Sequence, residues 1–169
     1  NFTGSLLVGH STTGTLDAAT YNTGVGLAAL DAITTADDTT AVGYQAGSAI
    51  TTGAYNTVIG SDAGQKLTTS GNNTAVGYQS LFTATTGSTE NTCVGWRSLY
   101  AVTSGDYNVA MGKRSGDSIT SGSYNVTLGK DAGQNLVDGS GNIVIGTADT
   151  AATDSARTLK IVSYDGSST

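Results

Sequence analysis

Few residues of this 169-residue chain carry the chemistry of a catalytic centre. His10 is the only histidine and lies where the chain is least regular, so neither a Ser-His-Asp triad nor a histidine-ligated metal is supported. Cys93 is the only cysteine; it lies among small residues and is predicted to be a packed thiol rather than a nucleophile. The sequence therefore predicts no enzyme, no metal site and no cofactor.

Carboxylates and Gly-Lys pairs do not change that prediction. Cleavage of a polysaccharide would need two carboxylates held across a groove. Most acidic residues, such as Asp62 and Asp106, fall in predicted turns of a regular chain that offers no groove, which leaves a depolymerase as a disfavoured alternative. The pairs at 112–113 and 129–130 lack the upstream glycine and the following Ser or Thr of a phosphate-binding loop.

Binding chemistry is better represented, by aromatic and basic residues that recur at a fixed spacing. They are Tyr44, Tyr78, Trp96, Arg97, Lys113, Arg114 and Lys130. Exposed rings can stack on sugars, and basic groups can meet acidic glycans. We expect Asp131 to pair with Arg114, leaving Lys113 and Lys130 outward beside Trp96, in a patch that contacts an acidic glycan or a neighbouring segment. Alternatively, the rings only cover edges of the fold and the charges are merely solvated.

A second series of aromatic residues is likewise predicted either to stack on sugars or only to cover edges of the fold. It consists of Tyr21, Tyr55, Tyr107 and Tyr124.

The composition shows what kind of fold must position these groups. The chain has 24 Gly, no Pro and only 12% charged residues, with a net charge of −6. Too few large apolar residues are present for a thick core, yet the low charge argues against disorder. The acidity disfavours a nucleic-acid partner. No apolar run approaches the ~18 residues of a membrane span, so no membrane insertion is expected.

One repeat runs through the chain and is marked by an apolar residue followed by glycine. These glycines are Gly9, Gly26, Gly43, Gly60, Gly77, Gly95, Gly112, Gly129 and Gly146. Their spacing is 17 residues except for 18 between Gly77 and Gly95, where the extra residue falls in a predicted turn near Gly87. We number repeat positions from this glycine as 0. A repeat of this length indicates a solenoid.

The repeat positions predict an all-β, parallel β-solenoid (β-roll) of nine 17-residue turns. Position −4 is mostly Asn and should form a ladder of amides along the stack. Two strands per turn are expected, one from −4 to about +2 and one centred on +7, because β-branched residues dominate and glycine recurs. Positions −3 and −1 are predicted to face the interior, with the aliphatic residues of +7 as the opposite wall. The position-0 glycine marks a close backbone approach.

The pattern weakens after Gly146. We predict two parts, solenoid repeats over residues 1–146 and a degenerate last turn with an exit segment over residues 147–169.

The repeat also resembles known sequences. The units Asn73-Thr74-Ala75-Val76-Gly77-Tyr78-Gln79-Ser80-Leu81 and Thr39-Thr40-Ala41-Val42-Gly43-Tyr44-Gln45-Ala46-Gly47 resemble repeats of bacteriophage tail fibres and the YadA-like head of trimeric autotransporter adhesins. The resemblance covers residues 5–146, although the adhesin head repeat is shorter. It implies a left-handed roll, three chains side by side, and a host-binding fibre on a virion or, alternatively, on a bacterial surface.

Position −2 independently favours a homotrimer. It is small or apolar throughout, as in Ala41, Val58 and Cys93, and a strand that is apolar on both faces is usually covered on both. If −1 faces inward, −2 needs a neighbouring chain, and a three-fold axis supplies one. The three copies of Cys93 would then approach that axis. The alternative is a monomer that tolerates a surface column of Ala and Val.

The Thr residues at positions +8 and +9, such as Thr51 and Thr52, open another possibility. Flat Thr arrays can bind ice, but they need Thr at alternate residues of a strand, whereas adjacent residues point to opposite faces. These columns are therefore predicted to form a turn ladder. Ice binding stays an alternative that thermal hysteresis would test.

Overall fold

The computed structural model describes residues 4–9, 18–149 and 153–162; His10 lies outside them. Each turn contributes one three-residue strand to a single parallel sheet whose strand order follows the chain. The strands are β1 (Leu6–Val8), β2 (Thr23–Val25), β3 (Thr40–Val42), β4 (Thr57–Ile59), β5 (Thr74–Val76), β6 (Thr92–Val94), β7 (Val109–Met111), β8 (Val126–Leu128), β9 (Ile143–Ile145) and β10 (Leu159–Ile161). The described residues contain no helix. The predicted β-solenoid is confirmed.

Equivalent repeat positions stack directly upon one another. Thr57 pairs with Thr74, and Val58 with Ala75. The same register continues across the 18-residue turn, where Thr74 pairs with Thr92. A Cβ added to Gly87 in that turn would meet nothing within 4 Å, so the extra residue is accommodated in open space. Beyond residue 146 the sheet continues, because β10 pairs with β9.

The predicted orientation of the strands is wrong. Position −2 faces the interior: Ala41, Val58 and Cys93 are fully buried. Position −1 faces outward, where Ile59 is 37% and Met111 47% exposed. Both strand faces are apolar in the sequence, so the two-residue alternation could not distinguish them. The narrow interior accepts the smaller column, and the larger aliphatic residues lie outside.

The residues predicted to form the opposite wall are buried as expected, but they do not form the predicted second strand. Position +7 is fully buried, as in Ile50, Leu67 and Leu136. No second strand forms there in the described turns. Positions +2 and +4 have positive φ angles, for example 53° at Gln79 and 51° at Leu81, and these bend the chain out of the extended conformation. Hydrogen bonds still link successive turns, as from the Leu81 N–H to the Ser98 carbonyl at 3.0 Å.

In two adjacent turns the interior is filled by complementary sizes at positions −2 and +4. Leu81 at +4 is fully buried in the turn where −2 is only Ala75. In the preceding turn the sizes are reversed, with Val58 at −2 and Gly64 at +4. A Cβ on Gly64 would lie 2.7 Å from Cγ1 of Val58. In these two turns a large side chain from one column thus fills the space left by a small residue in the other.

The predicted amide ladder at position −4 is present and buried. The backbone N–H and the Nδ2 of Asn125 both donate to Oδ1 of Asn108, each at 3.0 Å. Nδ2 of Asn108 in turn donates to Oδ1 of Asn91 at 3.1 Å and to the Gly122 carbonyl at 2.9 Å. From Asn56 to Asn142, each amide therefore bonds buried backbone groups as well as the amide of an adjacent turn.

Position 0 makes the predicted close backbone approach. Gly77 has a φ of 132°, and a Cβ there would lie 2.5 Å from the carbonyl oxygen of Gly95 in the next turn. The same contact recurs from Gly26 to Gly129, so successive turns touch along a column of glycine backbones.

Candidate functional site

The aromatic and basic residues at positions +1, +2 and +5 lie where the chain leaves the sheet. The positive φ at +2, 55° for Arg97 and 56° for Arg114, turns the backbone and directs these side chains to the surface. Turn-to-turn hydrogen bonds hold this corner, for example from the Arg97 N–H to the Tyr78 carbonyl at 2.9 Å. The same corner therefore recurs in each turn as a fixed support for different side chains.

Trp96 is the centre of a cluster that crosses several turns. It is 39% exposed, and Lys113 Nζ lies 5.0 Å from its ring centroid. The Arg97 guanidinium lies 5.4 Å from the Trp96 ring and 4.0 Å from that of Tyr100. The structure thus brings Trp96, Arg97 and Lys113 together, as predicted for neighbouring turns.

Two further residues extend the cluster. Phe82 stacks on Tyr100 with ring centroids 5.2 Å apart and planes 1° from parallel. Lys66 Nζ lies 4.9 Å from the Phe82 ring centroid. We call Lys66, Phe82, Trp96, Arg97, Tyr100 and Lys113 the cation–aromatic cluster. Sequence reasoning missed Lys66, Phe82 and Tyr100, although Phe82 and Tyr100 occupy position +5 in successive turns.

Arg114 and Lys130 belong to a different arrangement. Arg114 Nε lies 2.8 Å from Oδ2 of Asp117, and Arg114 Nη1 lies 3.8 Å from Oδ1 of Asp131. Lys130 Nζ lies 3.0 Å from Oδ2 of Asp131. The predicted Arg114–Asp131 pair is present, but Lys130 is also paired and is not the free lysine that was expected. Sequence reasoning missed Asp117, whose carboxylate is the nearer partner of Arg114.

Tyr44 and Tyr78 are exposed at position +1, at 50% and 44%. Tyr78 is in the turn before Trp96, whereas Tyr44 is three turns away and outside the cluster. The second tyrosine series lies at position −5 with φ angles of 57–62°, which is unusual for a bulky residue. Tyr107 and Tyr124 stack with centroids 4.7 Å apart. The neighbouring Glu90 carboxylate, followed by Tyr124, raises the pKa of Tyr107.

The threonines at position +8 form the predicted turn ladder. Thr34 Oγ1 donates to the Thr51 carbonyl at 3.0 Å, and Thr51 Oγ1 donates to the Thr68 carbonyl at 3.2 Å. The same bond recurs from Thr103 to Thr120. These hydroxyls already donate within the protein, which disfavours an ice-binding array.

Cys93 lies inside the roll, so the expectation that three copies would approach a trimer axis is wrong. Its thiol is fully buried. Burial raises the pKa of Cys93 to about 12, although hydrogen bonds with Ser98 and Ser80 act in the opposite direction. Because the thiolate is the reactive form, this cysteine is placed as a packing residue.

We expect native Cys93 to resist thiol reagents. A rise in pKa from 9.0 to about 12 leaves about a thousandfold fewer thiolates at pH 8, and burial removes access. Colorimetric titration with a disulfide reagent should therefore detect almost no thiol in the native protein and one per chain in denaturant. Rapid native reaction would contradict the interior placement.

The described residues contain no group of three or more His, Cys, Asp or Glu that could hold a metal ion, and they enclose no pocket. Within the same residues, no helix has the length and apolarity to cross a membrane. What the surface offers is an extended contact area with three aromatic rings and three cations.

Comparisons with protein-family models, with curated proteins and with solved structures found no match for this chain. The resemblance to tail-fibre repeats and to adhesin heads therefore rests on the residues of the repeat, and it stays a prediction.

Proposed function

We propose that this chain is a structural and adhesive segment of a surface fibre, in which a rigid homotrimeric shaft or head presents a host-attachment surface. A bacteriophage tail fibre is the favoured setting and the head of a bacterial cell-surface adhesin the alternative, since both would use the same geometry. The observation that supports this proposal is a continuous row of apolar residues on the outer face of the sheet, which we call the apolar stripe.

The apolar stripe is formed by the outward residues at position −1 along the sheet. It consists of Val8, Val25, Val42, Ile59, Val76, Val94, Met111, Leu128, Ile145 and Ile161. All ten are half-buried or exposed in the isolated roll. A continuous apolar stripe on a rigid surface marks an interaction site, and equivalent stripes of three chains can face one axis. The predicted homotrimer is thus supported by position −1 rather than by position −2.

Rigidity supports the fibre role separately. With turns stacked about 4.8 Å apart, nine turns extend over about 43 Å. The buried amide ladder, the glycine backbone column and the threonine ladder all run parallel to that axis. Such a segment can join neighbouring fibre segments at its ends while its sides carry receptor contacts.

We expect Met111→Glu to break the trimer without unfolding the roll. Met111 is 47% exposed and has three further stripe residues beyond it and six before it, and three symmetric copies would place three carboxylates at one level of a dry interface. Sedimentation equilibrium at micromolar concentration should give three times the 16.8 kDa monomer mass for the parent chain and a lower mass for the variant.

Thr86→Glu is the matched control, because Thr86 is exposed in a turn outside the stripe; it should remain trimeric. Circular dichroism should show the same fold in all three proteins. A parent chain with the monomer mass would contradict the proposal, and a trimeric Met111→Glu variant would exclude the apolar stripe as the interface.

A further inference from the structure

Arg97 and Arg114 both occupy position +2, in adjacent turns, so their surroundings can be compared directly. Each contacts the residue three positions further along the chain. For Arg114 that residue is Asp117, whose carboxylate lies 2.8 Å from Nε. For Arg97 it is Tyr100, whose ring centroid lies 4.0 Å from the guanidinium carbon. The cation is kept, but an aromatic ring replaces the carboxylate.

The other cations of the cation–aromatic cluster also contact aromatic rings instead of carboxylates. Among the described residues, Lys66, Arg97 and Lys113 form no ion pair within 4.0 Å, whereas Arg114 and Lys130 do. Each of the three unpaired cations instead contacts an aromatic ring. In a protein with a net charge of −6, carboxylates are plentiful. None of the carboxylates that the structure describes lies within 4.0 Å of these three cations, which leaves the three positive charges without an ion-pair partner there.

Two of these cations contact one ring. Arg97 Cζ lies 5.4 Å and Lys113 Nζ 5.0 Å from the Trp96 centroid. Two like charges therefore share one ring with no ion-pair partner among the described residues, and they repel each other. Arg97 Nε is also buried without a hydrogen-bond partner. An anion that contacts both the guanidinium and the ammonium would relieve the repulsion and accept hydrogen bonds from both groups.

The aromatic rings indicate that the bound anion also has an apolar surface. Trp96 is 39% exposed, and the part of its ring that the two cations leave uncovered can pack against the apolar C–H face of a sugar. The cluster spans four successive turns, or about 14 Å between its first and last backbones, which is the scale of an oligosaccharide. A long polyanion such as nucleic acid would also meet the acidic remainder of the surface.

We propose that the cation–aromatic cluster binds an anionic saccharide, with a sugar ring against Trp96 and its carboxylate or sulfate in contact with Arg97 and Lys113. This assignment rests on the proposed attachment function, whose receptor class it names. Carboxylate and sulfate share the charge and the acceptor oxygens that the site recognises. A trimer would carry three such sites and gain avidity toward a polymeric glycan.

The test uses the fluorescence of Trp96, the only tryptophan of the chain. The full chain is titrated with oligogalacturonate, with a heparin oligosaccharide and with neutral maltohexaose. We expect one or both anionic probes to change the emission, with weaker binding at high salt, and maltohexaose to leave it unchanged. The probe that binds more tightly identifies the preferred acidic group.

Matched variants locate the site. Lys113→Gln and Lys130→Gln remove the same charge from the same repeat position in adjacent turns. Lys113→Gln and Arg97→Gln should weaken binding about tenfold or more, and Lys130→Gln less than twofold. Tyr100→Asp should pair Arg97 as Asp117 pairs Arg114, and should weaken binding although no cation is lost. Circular dichroism checks that each variant is folded.

Three results would overturn the proposal: no response to either anionic probe at millimolar concentration, an equal response to maltohexaose, or an equal loss in Lys113→Gln and Lys130→Gln. Sedimentation equilibrium on the same samples separates this proposal from the fibre proposal. A trimer without saccharide binding contradicts only the ligand assignment. A monomer that binds the anionic probes contradicts only the trimeric fibre.

Discussion

Replacing Gly77 with valine is expected to destabilise the solenoid more than any substitution on its surface. The φ of 132° at Gly77 lies in a region that side chains rarely adopt, at a cost of about 1–3 kcal/mol. The new Cβ would also lie 2.5 Å from the Gly95 carbonyl oxygen. That oxygen belongs to the backbone, which cannot move away while the Gly95 N–H donates to the Val76 carbonyl at 2.7 Å. We therefore expect a loss of about 3 kcal/mol or more.

Thermal and urea unfolding followed by far-ultraviolet circular dichroism would measure this loss. Gly87→Asn is the matched control, because Gly87 also has positive φ but open space around its Cβ position, and Asn tolerates such a conformation. The control should unfold within a few degrees of the parent chain. Gly77→Val unfolding at the same temperature as the control would contradict the close backbone approach.

Asn108→Asp is expected to have a comparable effect through hydrogen bonding instead of sterics. The substitution keeps the shape and the acceptor for Asn125, but it removes the Nδ2 donor to Asn91 Oδ1 and to the Gly122 carbonyl. At neutral pH it places a carboxylate against two acceptor oxygens in a fully buried position. A buried charge without an ionic partner costs about 3 kcal/mol or more.

The loss should depend on pH. Burial and the two acceptor oxygens favour the protonated form, so the pKa of the new carboxyl is raised above its unfolded value of about 3.9. A raised pKa means that the variant is most stable below the unfolded pKa and loses stability as the pH rises toward the folded pKa. Urea unfolding from pH 3 to 8 should show the difference from the parent chain growing over that range.

Asn72→Asp is the control for this experiment. Asn72 is exposed at position −5 with a φ of 60°, where Asp is equally tolerated. Its stability should follow that of the parent chain at every pH. If Asn108→Asp also followed the parent chain, the amide ladder would not be buried and hydrogen-bonded as described.

The repeat was sufficient to predict what depends on periodicity. A spacing of 17 residues stacks equal positions, so the parallel sheet, the amide ladder, the glycine contact and the buried wall at Leu67 all follow from alignment alone. It was not sufficient to orient the strand. Val58 and Ile59 are both aliphatic, and only the width of the interior decides that Val58 is buried.

The sequence also did not predict the local backbone conformation or the partners of individual side chains. Extended structure around position +7 was expected from its aliphatic residues, but the positive φ at Leu81 and Leu99 has no signal in those residue types, because Leu rarely adopts it. The candidate patch was predicted from charge and spacing, which placed Lys113 and Lys130 alike as outward lysines. Spacing does not give side-chain conformation, so Asp131 was assigned to Arg114 alone, whereas it also contacts its chain neighbour Lys130.

The constant register across turns of 17 and 18 residues has a consequence for how such a protein can change in evolution. Every turn presents the same backbone hydrogen-bonding groups to its neighbours, so a duplicated or deleted unit can join the stack through the same turn-to-turn hydrogen bonds. The length of the solenoid can then vary in steps of about 4.8 Å, one step for each turn. Because Gly87 shows that an added residue is accepted in a loop, new surface groups can be introduced in one turn while the other turns stay unchanged.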